Sequence, residues 1–279
     1  MLKTLDFSII FVNYNSADDL AEAINSLLKA HDQKIPYEIL IVDNNSTKSD
    51  SDKLKKLTAT YRKIIPINTF YLRQNLGFGG ANNYAAARAR GQYLLFLNPD
   101  TLCPGAILGQ LRRDLARSHV GIVAPRLILR SGTPQEYATG NFPTLATIWR
   151  SRTRAQKKTS LPEKNSRLVT RDWLSGAALA IGRDHFQKVN GFDDRFFMYF
   201  EDVDLCQRVQ QLGLQNYLDT SIEIIHLGGE RQTVSRGRRQ HYFAAQDQYF
   251  RRWRPREYTA YRLIIWPYKI YRYWTDPHD

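Results

Sequence analysis

Short apolar runs alternate with helical patterns along the first half of the chain, and each run ends in a polar cluster. Phe7–Val12 is followed by Asn13-Tyr14-Asn15-Ser16, and Glu38–Val42 is followed by Asp43-Asn44-Asn45-Ser46. Between the two runs, four aliphatic residues recur at the spacing of one helix face: Leu20, Ile24, Leu27 and Leu28. This repeated order of strand, polar turn and helix predicts an α/β fold with a mainly parallel sheet.

The apolar run Tyr93–Leu97 is unbroken and ends abruptly in Asn98-Pro99-Asp100. Such a run is typical of a strand that is buried on both faces. Ligands of open α/β sheets bind beyond the carboxyl ends of the strands, so we expect Asp100 to handle a cation or a phosphate. A plain Asn-Pro-Asp turn explains the same residues without any ligand.

A glycine-rich segment, residues 73–83, follows the predicted strand Asn68–Leu72 and precedes a predicted helix over Asn83–Arg90. A dinucleotide-binding fingerprint does not fit, because Asn82 stands where the third glycine is required. Two interpretations stay open: backbone amides that receive an anion at the helix N-terminus, and a loop whose glycines adopt positive φ.

The second half of the chain predicts fewer elements. A helix is expected over Pro104–Ser118 and a strand over Val120–Pro125, and a helix-like stretch covers Arg183–Val189. Periodicity is lost over residues 130–171, which predicts a long irregular basic loop. The strand Ile222–Ile225 leads to His226, where a structural histidine is more common than a ligand.

Three carboxylates, Glu201, Asp202 and Asp204, follow the aromatic run Phe196–Phe200. Acidic residues in the first turn stabilise a helix, which explains one or two of them. It does not explain the aromatic residues before them, which would remove water from a carboxylate and raise its basicity. The cluster therefore predicts a general base.

Composition limits the possible classes of protein. The 279 residues, with 43% hydrophobic and 12% aromatic content, suit one α/β domain with a tail. No window approaches the roughly 18 apolar residues of a membrane span. The N-terminus enters a strand pattern without a signal-peptide cleavage site, so we expect a cytoplasmic location. Cys103 and Cys206 have no disulfide or metal-site spacing and are expected in the core.

The net charge of +13 is unevenly distributed. Residues 150–171 hold eight basic residues against Glu163, and residues 231–279 hold eleven against four acids. The tail also alternates aromatic and basic residues, which is typical of a helix at a membrane interface, and Pro255 and Pro267 would break it into short helices. Packing on the catalytic body or a homodimer contact explains the same aromatic residues equally well.

These motifs, taken together, resemble those of inverting GT-A glycosyltransferases of family 2, close to the bacterial rhamnosyltransferase-like group. The quoted motifs run in family order across residues 7–229: Val12-Asn13-Tyr14-Asn15, Val42-Asp43-Asn44-Asn45-Ser46, the segment 74–82, Asn98-Pro99-Asp100, Trp173-Leu174-Ser175-Gly176-Ala177, Glu201-Asp202-Val203-Asp204 and His226. Each motif is weak alone, but the ordered set is specific. The resemblance implies a catalytic domain over 1–230 and a helical tail over 231–279. Residues 1–100 would form the nucleotide-binding half and residues 101–230 the acceptor half.

The resemblance also implies roles for single residues. The nucleotide pocket would include Val12, Asn13, Tyr14, Asn15, Asp43, Asn75, Gly79 and Asn98. Asp43 would accept a hydrogen bond from N3–H of uracil or thymine. Asp100 matches the last position of the family's DxD motif, which binds Mg²⁺ or Mn²⁺, whereas Asn98 replaces its first carboxylate. His226 would then be a second protein ligand of the metal.

Asp202 matches the family's catalytic base, with Tyr199, Glu201 and Asp204 around it and Trp173, Ser175 and Gly176 on the acceptor side. The resemblance implies transfer of L-rhamnose from dTDP-rhamnose to a saccharide or polyprenyl-linked acceptor at the inner leaflet. A related galactofuranosyl- or other hexosyltransferase that uses a UDP-sugar is the alternative.

Two other classes of protein are less compatible with the residues. A nucleotidyltransferase carries a glycine-rich basic loop after its first strand, and here that place holds Asn13-Tyr14-Asn15-Ser16. A nucleic-acid binder would explain the high pI and the interleaved arginine and aromatic residues. The acidic cluster at 201–204 argues against it, so we expect no nucleic-acid partner.

Overall fold

The computed structural model describes residues 5–30, 35–152, 166–230 and 236–275. Four strands form the parallel half of its main sheet: β1 (Phe7–Asn13), β2 (Tyr37–Asp43), β3 (Ile67–Tyr71) and β4 (Tyr93–Leu97). They lie in the order β3-β2-β1-β4, and in the register Asn13 pairs with Asp43 and Asp43 with Tyr71. The polar carboxyl ends of these strands therefore meet at one edge of the sheet, as the sequence predicts.

The sheet continues beyond β4 with strands of mixed direction. In order they are β10 (Ala178–Gly182), β6 (Val120–Ile128), β11 (Gln215–His226) and β5 (Thr101–Leu102), and β8 (Leu168–Thr170) also pairs with β11. Since β10 runs antiparallel to both β4 and β6, and β11 is parallel to β6, β11 runs in the direction of β4. His226 thus lies at the same edge as Asp100. A separate pair is formed by β7 (Thr139–Gly140) and β9 (Trp173–Leu174).

Helices cover both faces of the sheet and bury its apolar side chains. One core contains residues of α1 (Ala17–Lys29), α2 (Lys48–Tyr61) and α4 (Leu108–Leu115). The other contains residues of α3 (Gly77–Ala86), α6 (Arg183–Lys188) and α7 (Glu201–Gln211). All five residues of β4 are buried, which confirms the prediction of a strand covered on both faces. Cys103 and Cys206 are free and buried, as expected.

A third apolar cluster joins the C-terminal helices to the body of the protein. It contains residues of α5 (Leu145–Arg152), α8 (Arg236–Trp253) and α9 (Pro255–Thr275). Tyr249 and Phe250 of α8 are fully buried together with Phe196 and Phe200, which directly precede α7. The basic tail is therefore part of the folded body as far as Ile265, which is fully buried in this cluster.

Three expectations about local structure are wrong. The helix predicted over Asn83–Arg90 instead begins at Gly77 and ends at Ala86, because residues 77–83 of the glycine-rich segment are helical and side chains bind the amides at their start. Gly77 has a φ of +73°, in agreement with the interpretation that glycines of this segment adopt positive φ. The described part of 130–171 contains β7, α5 and β8. Contacts distant in sequence order it, such as the bond from Leu145 N to Glu257 Oε2 (2.8 Å), while residues 153–165 lie outside the described residues. Of the two prolines expected to break the tail, Pro255 begins α9 and so separates it from α8, whereas Pro267 lies inside α9. Pro267 is on an exposed face, where water can bind the carbonyl that it leaves unpaired.

Candidate active site

The β1–α1 and β2–α2 loops are joined by the side chains of Asn13 and Asn15. Asn13 Nδ2 donates to Asp50 Oδ2 (2.7 Å) and to Ser46 Oγ (3.1 Å). Asn15 Oδ1 accepts from Thr47 N (2.8 Å), and Asn15 has a φ of +54°. These bonds give the two loops a defined shape at the edge of the sheet, where the nucleotide pocket was predicted.

Neighbouring residues of these loops differ in their exposure. Tyr14 is 52% exposed, whereas Val12 packs partly on the core. Asp43 is only 2% exposed, and its oxygens accept from Ser46 N (3.1 Å) and from Ser51 Oγ. The structure thus uses Asp43 to brace its own loop, and its hydrogen bond to a nucleobase stays a prediction.

Asn44 and Asn75 hold the start of α3. Asn44 Nδ2 donates to Asn75 Oδ1 (2.8 Å), and Asn44 Oδ1 accepts from Leu76 N (2.8 Å). The first amides of the helix are also engaged, since Gly77 N donates to Asn75 Oδ1 and Phe78 N to the carbonyl of Phe197. These two amides are therefore not directed at an anion. Gly79, which was predicted to line the nucleotide pocket, is buried. It packs against Phe192, since a Cβ added to Gly79 would lie 3.0 Å from Phe192 Cβ.

The two predicted metal ligands lie side by side. His226 Nε2 is 3.3 Å from Asp100 Oδ1, and His226 Nδ1 is 2.8 Å from Gln135 Oε1. Gly228 lies against this pair, because an added Cβ there would overlap Asp100 Oδ2 and lie 3.2 Å from His226 Nε2. The described residues contain no cluster of three His, Cys, Asp or Glu side chains that could hold a metal ion. A carboxylate beside an imidazole nevertheless fits a divalent cation whose other ligands come from a bound diphosphate.

Asn98 stands where the family's DxD motif has its first carboxylate. Its backbone links the end of β4, near Asp100, to the turn that was predicted to face the acceptor. Its backbone N donates to the carbonyl of Ala177 (2.9 Å), and its carbonyl accepts from Thr101 N (3.2 Å). Ala177 follows Ser175 and Gly176 in the turn between β9 and β10. The turn that was predicted on the acceptor side is thus adjacent to the end of β4.

Asp202, at the start of α7, is bound to the same turn. Its Oδ2 accepts from Gly176 N (2.9 Å), and its Oδ1 accepts from Val203 N (2.8 Å). Burial raises the pKa of the Asp202 carboxyl above its usual range, and these amide bonds partly oppose that rise. Gly176 leaves space for this contact, since an added Cβ would lie 3.1 Å from Phe78 and 3.5 Å from Asp202 Cβ. A held carboxylate of raised basicity has the properties of a general base.

Glu201, next to Asp202, is buried more completely. It is 6% exposed, and its Oε2 has no hydrogen-bond partner among the residues that the structure describes. Burial, and secondly the charge of Asp202, raise the pKa of Glu201 well above its usual value. A carboxyl group in this environment favours the protonated form.

Two residues before α7 adopt left-handed backbone conformations. Tyr199 has a φ of +71° and Phe200 a φ of +64°. Such conformations cost of order 1–3 kcal/mol each and persist where surrounding contacts hold them. The ring of Tyr242 in α8 packs against both residues, with centroid distances of 5.7 and 5.5 Å. Helix α8 thus supports the turn that begins α7.

Asp204 points away from Asp202 and into contacts with the tail. It is fully buried and binds Arg208 Nε (2.7 Å), Trp253 Nε1 (2.8 Å) and Arg252 Nε (3.4 Å). The structure therefore does not bring Asp204 together with the other predicted catalytic groups. Asp204 and Arg208 are four residues apart, the spacing of side chains that meet on one helix face, so their contact could be predicted from the sequence. No sequence pattern near Asp204 predicts its contact with Trp253.

Comparison with known proteins gives consistent matches. A family model described as "Glycosyl transferase family 2" matches residues 8–170, and one described as "N-terminal domain of galactosyltransferase" matches residues 163–241. The chain is 28% identical over 228 residues to the rhamnosyltransferase WbbL of Escherichia coli K12, covering 78% of this chain and 82% of that protein. It is 28% identical over 240 residues to the N-acetylglucosaminyl-diphospho-decaprenol L-rhamnosyltransferase of Mycobacterium tuberculosis, covering 78% and 75%.

A solved structure shares the fold. The crystal structure of GalNAc-T7 with UDP, GalNAc and Mn²⁺ superposes with a TM-score of 0.62 at 17% identity, over 80% of this chain and 43% of that one. The comparison confirms the expected GT-A type of fold, with a mainly parallel sheet between helices.

Proposed function

The chain belongs to glycosyl transferase family 2, and we propose that it moves L-rhamnose from dTDP-rhamnose onto a saccharide acceptor by one inverting displacement. The names of the two rhamnosyltransferase relatives support this donor. The observation that carries the proposal is the position of Asp202, which Gly176 N holds beside the edge where β4 ends in Asn98 and Asp100.

Asp202 acts as the general base. The acceptor hydroxyl gives its proton to the Asp202 carboxylate while the acceptor oxygen forms a bond to the anomeric carbon. The bond from that carbon to the diphosphate oxygen breaks in the same step, and the nucleoside diphosphate leaves with the electron pair. One displacement without a covalent intermediate inverts the anomeric configuration.

The donor nucleotide lies along the carboxyl ends of β1, β2 and β4. Asn13, Asn15 and Asp43 shape the loops that receive the base and the ribose. Asp100 and His226 would hold Mg²⁺ or Mn²⁺, which supplies charge stabilisation to the diphosphate leaving group when it is bound. Trp173, Ser175 and Gly176 would contact the acceptor saccharide.

The acceptor is proposed to be lipid-linked, and α9 to bind the inner membrane leaflet. The structure has no helix among its described residues that is long and apolar enough to cross a membrane. Helix α9 instead exposes large apolar side chains from its ninth residue onward: Leu263, Ile264, Trp266, Ile270, Tyr271 and Trp274. Arg262, Lys269 and Arg272 lie among them, and basic residues near an anionic surface contribute about 1 kcal/mol each.

A UDP-hexose donor is the second candidate. The galactosyltransferase family match over residues 163–241 favours it, because this segment includes Gly176, Asp202 and His226. The relatives that cover most of this chain and carry a rhamnosyltransferase name favour dTDP-rhamnose.

Nucleotide release from a panel of sugar nucleotides tests the donor. dTDP-rhamnose, UDP-galactose, UDP-galactofuranose and GDP-mannose are incubated with the full chain and Mn²⁺ or Mg²⁺. We expect release from dTDP-rhamnose above all others. Preferred release from a UDP-hexose selects the second candidate, and release from none of them in the presence of a lipid-linked saccharide contradicts both.

A further inference from the structure

The turn that begins α7 has an unfavourable backbone. Tyr199 and Phe200 are consecutive, and their φ angles of +71° and +64° lie in the left-handed region. Residues that carry a Cβ adopt this region rarely and keep it only where surrounding contacts hold them. Phe200 is also the N-cap residue of α7, and its apolar side chain offers no oxygen to the first amides of the helix. The turn therefore depends on packing from other elements.

Helix α8 supplies part of that packing through aromatic rings. The ring centroid of Tyr242 lies 5.7 Å from that of Tyr199 and 5.5 Å from that of Phe200. The neighbouring ring of His241 stacks on Phe197, with centroids 4.7 Å apart. One side chain of α8, Tyr242, thus contacts both left-handed residues.

The same turn determines where the carboxylate of Asp202 lies. Asp202 is the second residue of α7, so its backbone follows Phe200 by only two residues. Its Oδ2 accepts from Gly176 N at 2.9 Å. If a left-handed residue relaxed to negative φ, the chain would change direction and the carboxylate would move relative to Gly176. A misplacement of about 1 Å in an active site can cost about 10²-fold in rate.

The exposure of Tyr242 separates this effect from a loss of core packing. Tyr242 is 39% exposed, so its removal leaves no enclosed cavity. Tyr249, which is fully buried and packs on Phe200 at 5.4 Å, remains in place when Tyr242 is changed. A variant at position 242 should therefore fold and still lose one support of the turn.

We propose that Tyr242 is a positioning residue: it holds the turn at Tyr199 and Phe200 and, through that turn, the carboxylate of Asp202. This role rests on the proposed function of Asp202 as the general base. Helix α8 is then required for the transfer step itself, independently of any contact that α9 makes with a membrane.

A double-mutant cycle tests this role. The values of kcat and of KM for the donor are measured for Tyr242→Ala, Tyr242→Phe, Asp202→Asn and the double variant Tyr242→Ala/Asp202→Asn. The donor is the sugar nucleotide that shows nucleotide release, with a saccharide acceptor. Tyr258→Ala is the matched control, because Tyr258 links α9 to α8 through Asp247 (3.0 Å) and so loosens the tail without removing the ring on the turn. Thermal unfolding of each variant shows that it is folded.

We expect Tyr242→Ala to lower kcat by about 10-fold to 100-fold and to leave KM for the donor within about twofold of wild type, because the base moves and the nucleotide loops do not. Tyr242→Phe keeps the ring and should keep the wild-type kcat, as should Tyr258→Ala. The double variant should be no slower than Asp202→Asn, because Tyr242 acts through Asp202. A merely structural role would make the two losses add.

The proposal is overturned if Tyr242→Ala keeps the wild-type kcat, or if its loss adds in full to that of Asp202→Asn. Should Tyr242→Ala not fold, Tyr242→Leu, which covers less of the turn, takes its place in the same cycle. A slow Asp202→Asn beside a normal Tyr242→Ala refutes the positioning role alone. A normal rate in Asp202→Asn refutes the proposed base, and the positioning role with it.

Discussion

The backbone N of Gly176 donates to Asp202 Oδ2 at 2.9 Å, and this bond joins helix α7 to the turn before β10. The carbonyl of Ala177 in the same turn accepts a hydrogen bond from Asn98 N, just after the end of β4. Two segments that are distant in sequence therefore place a carboxylate beside the residues proposed to bind the donor. Among the three clustered carboxylates, Asp202 is therefore the one that we propose as the general base.

Glu201→Gln is expected to stabilise the protein in a pH-dependent way. The pKa of Glu201 is raised in the folded state, so its contribution to stability is present below about pH 4.5 and is lost as pH rises through the folded value. Each pH unit of that elevation corresponds to about 1.4 kcal/mol. Denaturant unfolding at several pH values should show a more stable variant at pH 8 and equal stability near pH 4.

Activity provides the control for this substitution. Since the carboxyl of Glu201 favours the protonated form, glutamine resembles it in shape and charge, and the variant should keep most of the turnover. Identical pH dependence of unfolding in the two proteins would show that folding does not raise the pKa of Glu201.

Asp204→Ala is expected to destabilise the fold by about 3–5 kcal/mol, because it leaves the guanidinium of Arg208 buried without its anion. Thermal unfolding measures the effect. Asp18→Ala, which removes an exposed ion pair with Lys53, is the matched control and should unfold at the wild-type temperature. An Asp204→Ala protein with normal stability and no activity would give Asp204 a catalytic role instead.

These roles show what the sequence could and could not predict. Helix geometry places Asp202 and Asp204 about 200° apart around α7, so their different surroundings follow from spacing alone. The contact between Asp204 and Trp253 does not, because 49 residues and the packing of α8 separate the two. The strands β1, β2 and β4 were predictable because a buried strand is a local apolar pattern.

Gln135, beside the predicted metal ligands Asp100 and His226, is a second residue whose role could not be predicted from local sequence. The sheet rule and the resemblance predicted Asp100 and His226, and the structure places them 3.3 Å apart. Gln135, which contacts His226 Nδ1, lies in a region predicted to be irregular. Its position depends on the pairing of residues 127–135, such as the bond from Gln135 N to the carbonyl of Leu127, and not on any local motif.

Gly228→Ala is expected to weaken the apparent affinity for Mn²⁺ by about tenfold or more, because the added methyl group would overlap Asp100 Oδ2. Gly105→Ala, where an added Cβ meets nothing within 4 Å, is the matched control. Activity is titrated with Mn²⁺ after removal of metal by EDTA. Undiminished turnover in EDTA would show that the leaving group needs no metal.

The double variant Trp266→Ala/Trp274→Ala is expected to bind anionic vesicles about tenfold more weakly than wild type, because these side chains are 62% and 79% exposed on α9. Trp149→Ala, 55% exposed on α5, is the matched control. Flotation at low salt measures the binding, and high salt should reduce it. If the double variant floats as wild type does, or if wild type does not float, the α9 surface serves another contact.

The transfer rate of Asp202→Asn with dTDP-rhamnose and a saccharide acceptor tests the central claim most directly. Asparagine keeps the shape of the side chain but cannot take the acceptor proton, and loss of a general base costs about 10²-fold to 10⁴-fold in rate. We predict a rate lowered by that factor, with donor affinity nearly unchanged. A variant that retains more than about a tenth of the wild-type rate would show that Asp202 is not the base.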